Sequence, residues 1–315
     1  MNTYQQNKRP RKRASRLEKV KAKVQEVEEE QQVHAFQKHR RSNNPVRHIR
    51  WGNTGRMESG KVVHKNAYEL PVNKKVTRVL LDYLQQEGLI DAARRLTAGG
   101  KPLVVGSQTK RSFGGSMYTI QRDEYCRNSN MHWLTPADAR TNNKVLEILG
   151  DSGFDDILEA IGTALDLDGL AILQSTLICM SSCTEGKVHV DSEDTDDKTF
   201  TLILPLILPQ ESDAPHLNIF DGHNKETYGG YTYKSDIAVL LGDDATHASA
   251  KAQYSGKGAF RMMATFLMAD VTKHNANKVK ECYSQREFCP NPLTLAASHW
   301  KKGDKSVKLP RSQEA

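Results

Sequence analysis

The chain has 315 residues, 37% hydrophobic and 26% charged, a lean composition that predicts a folded body with polar tails. No apolar run approaches the roughly 20 residues of a membrane span, and the polar, basic start lacks the apolar stretch of a secretory signal. Neither a membrane protein nor a secreted one is expected, and a soluble intracellular protein is.

The formal charge of +7 is unevenly placed. Residues 1–60 hold fifteen Lys/Arg and six Asp/Glu, a net of +9, which leaves about −2 for the rest (7 − 9). The basic character therefore belongs to a tail and not to a catalytic cleft. Within it, the run from Lys8 to Arg13 fits a nuclear localisation signal or a phosphate-binding patch, or simply a solvated tail. Nuclear or cytoplasmic residence is expected on this basis. Leu17, Val20, Val24 and Val27 recur at threes and fours, but the acids Glu26, Glu28, Glu29 and Glu30 sit at the wrong end for the helix dipole. A conditional helix is expected over 15–38 in an otherwise disordered tail.

Residues 43–60 read as linker, and 61–141 as a helical and mixed packing region. Val76, Val79, Leu80, Tyr83 and Leu84 share one helical face; after Gly88, Leu89, Ile90, Ala93 and Leu96 resume the pattern. Residues 117–120 suit a strand, and Thr135-Pro136-Ala137-Asp138 reads as a helix start with proline in first position. A longer helical pattern over 143–165 is expected to break at Gly150 and Gly153. Five cysteines without a C-x-x-C motif make a poor disulfide or zinc framework and read as free thiols.

From Leu170 the period changes. Runs at 171–180, 185–191, 199–208, 215–220, 236–241, 246–252 and 259–269 are β-rich and separated by turn residues. Short strands at this spacing predict an antiparallel sandwich or barrel over 142–275, then a polar, basic extension over 276–315.

The chemistry-bearing residues fall in this β-rich stretch. His189 and Asp191 are two apart on an expected strand, so both side chains point to one face. One such pair is close to what chance supplies among eleven histidines, so its weight depends on the residues further along the chain. The apolar run 236–241 and a Gly242-Asp243 turn lead to His247, 56 positions after Asp191. Two histidines and one carboxylate with open positions opposite form the facial triad of non-haem Fe(II) sites. Arg261 sits alone in an apolar strand and needs a partner if buried, which a dicarboxylate could supply by bidentate contact, as could a structural salt bridge. His216 and His223 are candidates for the mouth of the site. Tyr231, beside Gly229-Gly230, is a candidate for a substrate loop or for ordinary strand-edge packing.

In this order, His189-x-Asp191, the turn before His247, and Arg261 on the next strand resemble the Fe(II)/2-oxoglutarate-dependent dioxygenase superfamily over about residues 145–270. The resemblance implies an α+β fold, a double-stranded β-helix (jelly roll) supported by N-terminal helices. It implies His189, Asp191 and His247 as metal ligands, with Fe(II), 2-oxoglutarate and O2 as cofactor and cosubstrates. Arg261 would hold the far carboxylate. Lys257, ten positions after His247, sits at the offset usual for the family; Arg261, at fourteen, is favoured because a strand position can point inward. The implied activity is hydroxylation or demethylation of a substrate with release of succinate and CO2. The basic tail favours a nucleic acid or a nuclear or ribosomal protein as partner. A non-catalytic jelly-roll binding module and a cupin-like metal enzyme without 2-oxoglutarate remain open at this point.

Overall fold

A computed structural model describes residues 46–51, 62–98, 107–122, 126–127, 129–191, 199–209, 216–220, 227–254, 258–270, 298–304 and 306–312. The Lys8 to Arg13 cluster, the helix expected over 15–38, His223 and Lys257 lie outside these residues.

Strand β1 (Arg47–Trp51) pairs antiparallel with β2 (Val62–Pro71). The linker expected over 43–60 thus contains a sheet strand. Its hydrogen bonds go to a partner outside the segment, which local composition does not register. Helix α1 (Lys74–Gln86) opens where the Asn73 side chain accepts the Lys75 N–H at 2.9 Å, and it buries Val76, Leu80, Tyr83 and Leu84. Gly88, at φ 72°, turns the chain into α2 (Leu89–Thr97).

Strands β3 (Gln108–Phe113), β4 (Ser116–Arg122), β5 (Cys126–Arg127) and β6 (Met131–Pro136) come next. Pro136 ends a strand and does not open a helix. The cap of α3 (Ala139–Ser152) is Asp138, whose carboxylate accepts the Thr141 N–H at 2.7 Å. Gly153, at φ 85°, ends α3 before α4 (Asp155–Ala164). Gly150 lies inside α3 and breaks nothing. A Cβ there would come within 2.3 Å of the Pro310 carbonyl oxygen, so the residue admits a close approach of the C-terminal segment.

The chain then alternates between two facing sheets. It runs through β7 (Gly169–Met180), the short β8 (Ser182–Cys183) and β9 (Glu185–Gly186), β10 (Thr199–Ile207), β11 (Leu217–Phe220) and β12 (Thr227–Tyr231). β13 (Ile237–Gly242), β14 (His247–Ser249), β15 (Ala252–Gln253), β16 (Arg261–Ala269) and β17 (Trp300–Lys301) complete it. The large sheet has the order β1-β2-β13-β10-β16-β7-β6-β4-β3, with β17 beside the start of β7. The small sheet is β12-β11-β14, extended by a bridge from His247 to His189. Successive strands thus enter the large sheet (β7), the small one (around His189), the large one (β10), the small one (β11, β12), and so on to β16. This is the topology of a double-stranded β-helix, widened by N-terminal strands on both flanks.

Period-2 alternation sorts the side chains of the large sheet. Met262, Ala264, Phe266 and Met268 of β16, with Leu202 and Leu204 of β10, face the helices and join one core. Phe154, at the start of α4, meets Phe266 edge-on at 5.0 Å. Ile203, Val239, Leu241 and Met263 face the small sheet and form a second core with Leu217 and Ile219. Strands buried on both faces read as continuous apolar runs, as these do.

The C-terminal segment is docked rather than loose. Leu309 is buried, its N–H donates to Asp155 Oδ1 at 3.0 Å, and Arg311 donates to Oδ2 at 2.7 Å. No helix among the described residues is long and apolar enough to cross a membrane.

Candidate metal centre

His189 and His247 face each other across the small sheet. The His189 N–H donates to the His247 carbonyl at 3.0 Å and the His247 N–H to the His189 carbonyl at 2.8 Å. The reciprocal pair fixes the two Cβ atoms, and the ring centroids stand 4.4 Å apart. Two features bring the strands this close. A Cβ on Gly186 would lie 2.2 Å from the Ser249 carbonyl oxygen, so only glycine fits there. The turn before His247 is held by the Ala245 N–H donating to the Gly242 carbonyl at 3.1 Å and braced by Asn66 of β2, whose amide donates to Asp244.

Each imidazole is oriented by its own strand. Nδ1 of His189 lies 2.8 Å from the Lys187 carbonyl, and Nδ1 of His247 lies 2.7 Å from the Ala245 carbonyl. A carbonyl only accepts, so both Nδ1 atoms carry a proton and each Nε2 is the nitrogen left to meet a metal. The two Nε2 atoms converge on Asp191, at 3.7 Å from His189 Nε2 to Oδ1 and 3.8 Å from His247 Nε2 to Oδ2. One candidate ligand atom from each of the three residues lies within 4.8 Å of the other two. Two lone pairs and a carboxylate repel one another unless a cation, a metal ion or a proton, stands between them. Cis ligands about 2.1 Å from one ion would be about 3.0 Å apart, so a modest closure satisfies N and O coordination. The three residues therefore fit a metal ion held on one side only.

The other side opens into a cavity between the two sheets. His189, Asp191 and His247 lie on its wall with Thr201, Met263 and Thr265 of the large sheet. The wall also carries Trp133, Gln174 and Lys187, none of them marked by a sequence motif, and Tyr233, which clusters in sequence with Tyr231 beside Gly229-Gly230. Only strand pairing puts them there, although the spacing Lys187-x-His189-x-Asp191 was a usable signal for one of them.

Arg261 shares the inward parity of Met263 and Thr265 but is not on the wall. It is 1% exposed, beyond Tyr233, with its guanidinium carbon 5.3 Å from that ring's centroid. It donates through one terminal nitrogen to the His216 carbonyl at 3.0 Å and through the other to the Met180 sulfur at 3.9 Å; Nε has no hydrogen-bond partner among the described residues.

His216 is not at the mouth. It is buried beside Arg261, stacked on Tyr233 at 5.5 Å, with Nδ1 accepting the Tyr233 N–H at 2.9 Å. Burial first, and the Arg261 charge second, lower its pKa to about 4, so it is neutral and its Nε2 is a buried donor lacking a partner among the described residues. Tyr231 is likewise no substrate-loop residue. It is buried in the inter-sheet core, donates to Glu69 at 2.9 Å, and is pushed up in pKa by burial and then by Glu69.

No protein-family model and no curated protein matches the chain. Solved structures do resemble it. An oxidoreductase of the 2OG-Fe(II) oxygenase family from Burkholderia pseudomallei is 10% identical over 65% of this chain and 85% of its own, at a TM-score of 0.41. A Trichoplax adhaerens prolyl hydroxylase, in complex with a peptide fragment of the hypoxia inducible factor oxygen degradation domain, is 13% identical over 65% and 84%, at 0.39. A Pseudomonas putida prolyl-4-hydroxylase is 16% identical over 65% and 92%, at 0.36. Likeness at this level leaves the functional reading to the geometry of the site.

Proposed function

We propose that the protein is an Fe(II)- and 2-oxoglutarate-dependent oxygenase that hydroxylates or demethylates its substrate. The observation that carries this reading is the convergence of two Nε2 lone pairs and one carboxylate at the wall of a cavity between two sheets. His189, Asp191 and His247 would hold the metal on one face and leave the cavity face to cosubstrate, O2 and substrate. Bound there, Fe(II) with 2-oxoglutarate supplies an oxidation in which decarboxylation to succinate and CO2 drives oxygen transfer.

The chain's own residues supply position and exclusion. The Lys187 and Ala245 carbonyls hold each ligand imidazole in one tautomer and one orientation. Arg261 would take the far carboxylate: its buried charge meets a carbonyl, a thioether, an aromatic face and the nearby Tyr254 hydroxyl, none of them an anion. Reaching it from the cavity requires the Tyr233 ring to turn aside. Met263, Ile203 and Leu217 keep water from the interior of the site.

The absence of Arg261 from the wall favours one second reading, a cupin-like metal enzyme that uses no 2-oxoglutarate. Both readings predict that Asp191→Ala abolishes tight Fe(II) binding in an anaerobic titration. Succinate formation from 2-oxoglutarate by the wild type, lost in Asp191→Ala, is expected from the first alone. Metal binding without any succinate transfers the case to the second, and failure of the wild type to bind Fe(II) refutes both.

A further inference from the structure

Asn66 reaches the run that delivers His247 from β2, a strand on the flank of the double-stranded β-helix. β2 pairs with β13 from Ile237↔Pro71 to Leu241↔Ala67, so the next step of the ladder sets Asn66 opposite Gly242, where β13 ends. A Cβ on Gly242 would lie 3.0 Å from the Asn66 Cβ, so the two chains run close together there. The ladder stops at Gly242, and the Asn66 amide carries the hold two residues further by donating to Oδ1 of Asp244. From Asp244 the connection to His247 is continuous. The Asp244 carbonyl accepts the Thr246 N–H at 2.8 Å, and the Ala245 N–H donates to the Gly242 carbonyl at 3.1 Å. The Ala245 carbonyl in turn holds Nδ1 of His247 at 2.7 Å. On its other side the turn is tied to the small sheet, where the Phe220 N–H donates to the Thr246 carbonyl at 2.9 Å. Asp244 is exposed and Asn66 half-buried, so their hydrogen bond competes with water and adds little to global stability. Its effect is local. A turn that shifts carries the Ala245 carbonyl, and with it the His247 ring, out of line.

We infer that Asn66 is a positioning residue for the metal centre, its amide holding Asp244 so that Ala245 and His247 present Nε2 to the ion. The inference rests on the reading of His189, Asp191 and His247 as metal ligands, but not on 2-oxoglutarate or on the reaction. Asn66 acts through the turn and not on the metal. An amide suits the position because it donates to Asp244 without bringing a full charge beside the ligands. The N-terminal strands are then part of the site as well as of the sheet: β2 sets the geometry of a ligand 181 positions further along the chain (247 − 66).

The test uses the full chain carrying Asn66→Ala, Asn66→Asp, Asp244→Asn, or Asn66→Asp and Asp244→Asn together. Asn66→Asp sets two carboxylates against each other. The double variant restores the hydrogen bond with donor and acceptor exchanged and keeps the wild-type net charge, so its recovery reports the bond and not the charge. Anaerobic Fe(II) titration is read beside amide exchange over residues 243–249 of the metal-free protein. Asn66→Ala and Asn66→Asp are expected to weaken Fe(II) binding about tenfold and to speed exchange over 243–249 while exchange in the helices stays as in the wild type. Asp244→Asn, whose side-chain oxygen still accepts, and the double variant are expected to bind within about threefold of the wild type. A lower Tm with unchanged Fe(II) affinity in Asn66→Ala and Asn66→Asp shows a merely structural role and overturns the inference. So does a double variant that binds as weakly as Asn66→Asp. With succinate formed normally, either result leaves the oxygenase reading standing. A wild type that binds Fe(II) without forming succinate, its variants behaving as expected, sinks the oxygenase reading and keeps Asn66 in its role. A wild type that binds no Fe(II) overturns both.

Discussion

Replacing Arg261 with methionine tests whether its guanidinium is there for a ligand or for the fold. The side chain is among the largest of the fully buried ones, and it meets one carbonyl, one thioether, the Tyr233 face and the Tyr254 hydroxyl, but no carboxylate among these. A charge-assisted hydrogen bond contributes about 1.5–3 kcal/mol and a desolvated cation–π contact about 2. Against these stands a burial cost of several kcal/mol for the ion, with Nε meeting no acceptor among the described residues. The His216 carbonyl would not be orphaned by the change, because it also accepts the Ala250 N–H at 3.2 Å. Methionine is unbranched and of similar reach, so it can fill the space. The ligand-free protein should therefore become more stable by about 1–2 kcal/mol, a rise of roughly 2–4 °C in Tm. The same variant should lose the thermal stabilisation that 2-oxoglutarate or its unreactive analogue N-oxalylglycine gives the metal-loaded wild type. Differential scanning fluorimetry with and without these ligands reads both effects. Loss of more than about 2 kcal/mol in the ligand-free variant, with ligand stabilisation intact, would show that the guanidinium serves packing and would remove Arg261 from the cosubstrate site.

Two further outcomes concern other buried groups. His132 is 1% exposed, and burial, then the Arg122 charge, lower its pKa to about 4; His216 and His299 are lowered similarly, burial leading in each. Above pH 6.5 neither state binds the proton. As pH falls from 6.5 towards 4 the unfolded chain takes up protons that the folded one refuses, and stability drops by about 1.4 kcal/mol per pH unit for each histidine. Urea unfolding of the metal-free protein across this range should show His132→Leu with a slope shallower by about one proton, and identical slopes refute the assignment. Gly162→Ala in α4 would gain about 1 kcal/mol from helix propensity alone. Its Cβ, however, would lie 2.2–2.5 Å from three Trp300 ring atoms. Net destabilisation with faster amide exchange over residues 298–312 is expected, and a more stable variant counts against the docking of that segment.

The parts of the fold that were legible in the chain are those whose signal is local. The strands of the jelly roll announce themselves by β-branched and apolar runs between turn residues, and β7, β10, β13 and β16 fall within a few residues of where those runs lie. The His189, Asp191 and His247 cluster was legible because two of its members sit at a two-residue spacing and the third comes after a tight turn. What was not legible depends on contacts across the chain. β1 exists because β2 accepts it. Gly150 is set by Pro310, and Gly186 by Ser249. Arg261 has the inward parity expected of it, but Tyr233, 28 positions earlier, stands between it and the cavity, and no spacing rule places one side chain in front of another. His216, at the start of an expected strand, was a candidate for the mouth, and Tyr231 was open between a substrate loop and strand-edge packing. Strand pairing within the small sheet buried both.

The site also separates what the main chain does from what the side chains do. Both histidines of the cluster are oriented by the carbonyl two residues back, and the two strands carrying them exchange backbone hydrogen bonds at those same residues. Ring orientation therefore needs no outer carboxylate, and it survives side-chain replacement at position 187 or 245 as long as the backbone holds. Lys187 contributes its carbonyl, which fixes the tautomer of His189, while its side chain is exposed. Substitutions at position 187 should therefore leave the closure of the triad unchanged, whereas any residue other than glycine at 186 should weaken Fe(II) binding in an anaerobic titration, by forcing apart the strands that bring His189 to His247.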